Sequence, residues 1–188
     1  GGNEYKMRPE NQYFGTQAKE RIIGALLSLM EKYPFREITI LQIAQESKLA
    51  RRTFYLYYGS KLDVLNDYYD VLAREYYESI PEDVMNDHRA RALLFFTFWK
   101  NHSSYLKLLQ ANHMLWILMS QFDKYLMKMM EPNLPGKERY YAAFYAGGLW
   151  ATMYTWIEHD FLETPEELAR ITSDFDYQKK FMNNFWSD

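Results

Sequence analysis

The sequence contains no cysteine. Disulfide frameworks, thiolate nucleophiles and every zinc pattern that needs a thiolate are thereby excluded. It also lacks an uninterrupted apolar run of the ~20 residues that would span a bilayer. Its most apolar-looking stretch, residues 140–157, is dotted with Tyr, Thr and Gly. No charged-then-apolar signal segment opens the chain, Gly1-Gly2 reads as an expression scar, and a cytoplasmic protein is expected. Glycine and proline are sparse, at 8 and 6 of 188 residues. Alternating Val/Ile/Thr runs are scarce, so no sheet is expected and the fold class is all-α. HExxH, a phosphate-cradling glycine loop and a Gly-x-Ser-x-Gly elbow are all absent, and the four histidines stand apart at 88, 102, 113 and 159. Neither catalysis nor a metal or cofactor is expected.

Charge and aromatic rings are plentiful but unevenly placed. The net charge of −3 would disfavour a nucleic-acid partner if it were uniform. Residues 1–61, however, carry ten Lys/Arg against six Asp/Glu, and residues 62–188 carry twelve against nineteen. A basic end on an acidic body is the asymmetry expected when one end meets phosphate. The 17 Tyr, 12 Phe and 5 Trp lie mostly after residue 54, which implies a ring-built core or a ring-lined pocket.

Residues 1–15 show no period and read as a mobile arm. Ile22, Leu26, Leu29 and Met30 share one face of a helix expected from a Thr16 cap to about Lys32, ahead of Pro34. Thr39 can cap a short helix over about 40–47, with Gln42 completing a capping box and Ile40, Ile43 and Ala44 facing inward. After a break at 48–50, a second short helix runs from Arg51 to about Tyr58. Gly59 and Ser60 then introduce a long helix from Lys61, striped by Leu62, Leu65, Tyr69, Leu72 and Tyr76 and closed before Pro81. Further helices are expected at about 88–101, 103–111, 113–131, 137–161 and 166–187.

The stretch TILQIAQESKLARRTFYLYYGSK, residues 39–61, carries the functional signal. Two short helices joined by a tight break cannot each build a core, but they can pack crosswise and offer the second to a DNA groove, a helix-turn-helix with its centre at 39–58. Leu49 and Phe54 would anchor that second helix. Arg51 and Arg52 at its start suit guanine or phosphate acceptors, and Thr53 offers a hydroxyl and a methyl. Tyr55 and Tyr57 suit phosphate oxygens and sugar faces. Lys61 and Thr39, each at the start of a helix, are placed for phosphates.

The order of a first helix, T-x-x-x-I-A, then T-F-Y-x-Y-Y-x-S-K and a long helix resembles the tetracycline-repressor (TetR) family over residues 16–65. The R-R-T-F-Y form is similar to a branch with compact, aromatic C-terminal domains, as is the stretch from Tyr141 to Trp156 followed by FLETPEEL. The resemblance implies an all-helical chain of about nine or ten helices. It would comprise the arm, a DNA-binding domain over 16–65 and an effector-binding and dimerisation domain over 66–188. It implies a homodimer, probing a palindromic double-stranded operator as a ligand-responsive repressor, with Thr39, Gln42, Arg51, Arg52, Thr53, Tyr55, Tyr57 and Lys61 at the DNA. The rival reading is the same fold used as a coactivator or protein-interaction module with weak or lost DNA binding. One position departs from the family: Lys48 stands where the turn usually has glycine, and a left-handed lysine costs about 1 kcal/mol relative to glycine.

In the body, Ala143, Gly147 and Ala151 lie at i, i+4 and i+8 on one helix. Such a face permits close packing, either within the chain or against a second copy in a four-helix bundle, and the family resemblance favours the dimer. Phe98, Trp99, Tyr105, Trp116, Met119, Tyr141, Tyr145 and Trp156 are the candidate lining of a pocket for a small apolar or aromatic effector.

Overall fold

The computed structural model describes the backbone of residues 9–84, 87–121, 136–174 and 178–179, with side chains over the same stretches except 9–14, 138–139 and 141–142. The described residues are helical or in turns, with no strand among them. None of the described helices is long and apolar enough to cross a membrane. The chain divides into two compact units, Gly1–Tyr69 and Asp70–Asp188.

The first unit contains α1 (Pro9–Met30), a 3-10 turn (Phe35–Glu37), α2 (Ile40–Glu46), α3 (Arg51–Tyr57) and the start of α4 (Lys61–Glu78). Helix α1 begins at Pro9, seven residues ahead of the expected Thr16 cap. Polar first turns carry no apolar period, so the sequence pattern shows only where the helix becomes amphipathic; proline at a first helical position is itself a favourable start. The expected stripe is buried: Ile22 and Leu26 are sealed from solvent, with Leu29 and Met30 close behind. Helices α2 and α3 pack on α1 and on each other. Ile43 and Ala44 of α2 are buried, and Phe54 is the buried residue of α3. Val64, Leu65 and Tyr69 of α4 close this core.

The second unit comprises the rest of α4, α5 (His88–Asn101), α6 (Ser103–Ala111), helical residues 116–121 (α7), α8 (Glu138–Glu158) and α9 (Pro165–Ser173). Asp87 caps α5 by accepting from the amides of Arg89 and Ala90 at 2.9 and 3.0 Å. Thr164 and Glu167 form a capping box at α9, with Pro165 in its first turn. Two expected helices differ from the sequence reading where they are described. Residues 113–115 are a turn, so α7 starts at 116; its course beyond 121 lies outside the described residues. Helix α9 ends at Ser173 because Asp174 is extended, at φ −102° and ψ 103°. Helix α9 packs along α5, and α8 touches both α6 and α9. The core between them is ring-built: Trp156 meets Phe96 edge-on at 5.6 Å and Phe161 at 5.0 Å.

Three helices end alike. Residues Lys48, His113 and Asp160 adopt φ of 54°, 56° and 54°. Each is followed by an amide that reaches back five residues: Leu49 to the Ala44 carbonyl at 3.0 Å, Met114 to Leu109 at 2.8 Å, and Phe161 to Trp156 at 2.8 Å. This is a Schellman ending, in which a left-handed residue lets the chain satisfy the last helical carbonyls. None of the three positions is glycine.

Candidate nucleic-acid interface

The turn between α2 and α3 fixes how α3 is presented. Thr39 and Gln42 close a reciprocal capping box at α2: the Gln42 amide donates to Thr39 Oγ1 at 3.2 Å, and Thr39 N–H donates to Gln42 Oε1 at 2.8 Å. The Thr39 hydroxyl also donates to that oxygen, at 2.9 Å. Thr39 Oγ1 and Gln42 Oε1 are therefore committed to each other. At the far end of α2, Lys48 takes the left-handed conformation the family pattern reserves for glycine. The turn thus keeps its shape, and Arg21 supports it by donating to the Lys48 carbonyl at 2.9 Å. The lysine side chain is exposed and earns no compensation there. Lys48→Gly is accordingly expected to stabilise the protein by about 1 kcal/mol in a urea melt. An unchanged or lowered midpoint would show that the conformation carries no strain.

Helix α3 has two sides. Phe54 faces the core, 1% exposed, with Tyr58 just beyond the helix also buried. Burial and the neighbouring Asp67 carboxylate push the Tyr58 phenol far above its ordinary pKa, so it stays protonated and donates to Asp67 Oδ2 at 2.6 Å. Lys19 of α1 reaches the same oxygen at 3.0 Å. One carboxylate of α4 thereby ties α1 to the end of α3.

The opposite side is exposed. At 3.6 residues per turn, Arg52 and Leu56 lie roughly opposite Phe54, with Arg51 and Tyr55 in the adjacent row. Arg51 donates to the Tyr55 hydroxyl at 3.3 Å and lies over its ring at 5.6 Å, so these two act as one surface. Arg52 has no hydrogen-bond or ion-pair partner among the described residues. Thr53 and Tyr57 are half-buried at the edge. The Tyr57 ring leans on the start of α1, where a methyl added at Gly15 would stand 3.5 Å from it. Such a face can donate to phosphate oxygens and to the acceptor edge of guanine.

Lys61 is placed differently from the expectation. Its ammonium turns back to the 3-10 turn and donates to the carbonyls of Phe35, Arg36 (3.2 Å) and Ile38 (2.7 Å), above the Phe35 ring. Partial burial lowers its pKa. In this arrangement it is a clasp between the turn and α4, while the start of α4 is closed by Ser60 and Asp63, whose side chains each accept the other's amide. Leu56, by contrast, drew no attention in the sequence. An apolar residue one turn after Arg52, on the polar side of the helix, was the available signal.

The rings expected to line an effector pocket are not gathered in one place. Trp99, Tyr105 and Trp156 are core residues; the Trp156 indole donates to the Glu163 carbonyl at 2.9 Å, so its polar tip is satisfied without a ligand. Trp116 and Met119 face solvent, at 51% and 45% exposed. Phe98 and Tyr145 are half-buried, and the side chain of Tyr141 lies outside the described residues. Of the seven whose side chains are described, Tyr145 alone lines an open groove of ≈ 270 Å³, together with Phe144, Gly148, Leu149, Thr152, Ile171, Thr172 and Gln178. Next to that groove Ala143, Gly147 and Ala151 are all exposed. Among the described residues, a methyl group added at Gly147 or Gly148 would meet nothing within 4 Å, so packing against those residues does not require glycine at either position.

Known sequences bear on the same two regions. Residues 22–68 match the family described as bacterial regulatory proteins, tetR family, and residues 92–175 match a transcriptional regulator C-terminal region. A relative in Bacillus subtilis (strain 168), named as the uncharacterized HTH-type transcriptional regulator YxbF, is 25% identical over 177 residues. That alignment takes in 87% of this chain and 46% of the relative, so the chain spans about half the relative's length. On its capped two-helix unit and on both matched regions, the chain belongs to the TetR family of transcriptional regulators.

Proposed function

We propose that the chain is a sequence-specific DNA-binding repressor that acts as a homodimer on a palindromic operator. TetR-family proteins are transcriptional regulators and not enzymes. The observation that carries the reading is the outer side of α3: an unpartnered Arg52 beside the Arg51–Tyr55 pair, held out by a buried Phe54. Arg51, Arg52 and Thr53 read bases, and Tyr55 and Tyr57 contact sugar and phosphate. At the flanking backbone, Gln42 offers its side-chain nitrogen, and Thr39 contributes by capping the start of α2 there. Lys61 serves the interface by fixing the start of α4. The basic balance of residues 1–61 supports the same face. Titration of the purified protein with duplex DNA from upstream of its own gene tests this. Tight binding that weakens steeply with salt is expected. Affinity no better than for unrelated duplex would favour an interaction module instead.

The homodimer is supported by the exposed α8 face, where Ala143, Gly147 and Ala151 leave room for a second helix and Tyr140 and Phe144 stand 73% and 80% exposed. A two-fold axis beside this face would bury both copies at once. Sedimentation at micromolar concentration should give a dimer, and a monomer would sink this part of the reading. Release from DNA by a small apolar or aromatic effector completes the proposal. A compound that raises the melting temperature and lowers DNA affinity would be such an effector.

A further inference from the structure

The outermost row of α3 carries an apolar side chain. Leu56 is 68% exposed, more than any other large apolar residue described in the Gly1–Tyr69 unit. It lies one helical turn after Arg52 and nearly opposite Phe54. The adjacent Tyr55 ring does not cover it, because Tyr55 is engaged with Arg51. The row that projects furthest from the unit therefore presents a free guanidinium and then a branched hydrocarbon.

Phosphate and sugar hydroxyls offer leucine nothing. The edges of base pairs in the major groove hold one strongly apolar group, the C5-methyl of thymine. We propose that Leu56 is a specificity-determining residue that reads a thymine methyl in the major groove. The inference rests on the DNA-binding reading above. The helix advances about 6 Å between Arg52 and Leu56, and base pairs rise about 3.4 Å. The thymine read by Leu56 therefore lies one or two base pairs from the base that Arg52 contacts.

Deoxyuridine differs from thymidine only by the missing methyl, so it isolates this contact. The experiment uses the full chain and a duplex selected by it from a random pool, with each thymine of both half-sites replaced in turn by uracil. For the wild-type protein, one symmetric pair of replacements is expected to weaken binding by about fourfold per half-site, the worth of one buried methyl group. Across two half-sites the loss is on the order of tenfold. Leu56→Ala is expected to bind thymine and uracil duplexes alike at that position, and Leu56→Met to keep the preference. Alanine favours an exposed helical position, so folding does not confound the comparison. Equal methyl sensitivity in the wild type and Leu56→Ala would overturn the assignment, as would the absence of any sensitive thymine. Failure of the wild type to select any duplex would instead remove the DNA-binding reading, a result distinct from a selected site that ignores methyl groups.

Discussion

Phe54→Ala is expected to cost the Gly1–Tyr69 unit about 3–5 kcal/mol and with it all specific DNA binding. The phenyl ring is 1% exposed and is the buried residue of α3. It packs at 5.8 Å from the Tyr58 ring and, edge-on, at 5.6 Å from Tyr55. A helix of seven residues is too short to persist alone, so its position depends on this anchor. Loss of the ring removes its transfer free energy and leaves a cavity that α1 and α2, which pack on α3, can only partly fill. Small domains hold about 5–15 kcal/mol in total, so the loss is a large share. A urea melt followed by circular dichroism reads it directly. Phe54→Leu, which retains most of the volume, should cost much less. A Phe54→Ala protein within 1 kcal/mol of the wild type would mean that α3 is held by something other than this ring.

Arg52→Ala is expected to weaken binding to the selected operator by about 1–3 kcal/mol, or roughly 5- to 150-fold, with stability unchanged to within about 0.5 kcal/mol. The guanidinium is exposed and has no partner among the described residues, so its removal breaks nothing within the chain. The form of the loss identifies the contact. A base reader loses specific affinity and relaxes preference at one position, whereas a phosphate contact weakens all sequences alike and lowers the salt slope by about one. Arg52→Lys should recover charge but not two-pronged pairing with guanine, and so rescue only part of the affinity. An unchanged affinity in Arg52→Ala would remove the residue from the interface.

The elements that position α3 were legible because their signals are local. The Thr39–Gln42 box and the Ser60 start of α4 each depend on side chains within three residues of the backbone groups they satisfy. Helix α5 lies at the expected 88–101 for the same reason, with Asp87 as its cap, and α6 lies at the expected 103–111. The less legible parts depend on contacts distant in sequence or on ambiguous residue types. The residues that continue α1 back to Pro9 carry no apolar period to mark them. Helix α9 stops before Asp174 with neither glycine nor proline at the boundary, where Ser173 and Asp174 offer the backbone alternative partners. Three left-handed helix ends at Lys48, His113 and Asp160 could not be found by looking for glycine.

The side chains show the same division. A ring in the sequence does not reveal whether it fills a core or lines a pocket, and Trp156 became core once the Glu163 carbonyl satisfied its indole. Lys61 stood at a helix start suited to phosphate, but the carbonyls that hold it come from residues 35–38, more than twenty positions earlier. Leu56 is not legible as a surface residue from sequence, because apolar residues in a helix ordinarily belong to the core. Only the burial of Phe54 on the opposite side reveals its exposure.

On the function proposed above, residues 39–61 form a DNA-reading unit. The most direct test is the set of duplexes that the purified protein selects from a random pool. The claim predicts an inverted repeat whose half-sites are spaced by whole helical turns, each with a guanine and a thymine one or two base pairs apart, and loss of enrichment with Arg52→Ala. A pool that emerges without enrichment, or enriched equally by wild type and Arg52→Ala, would contradict it.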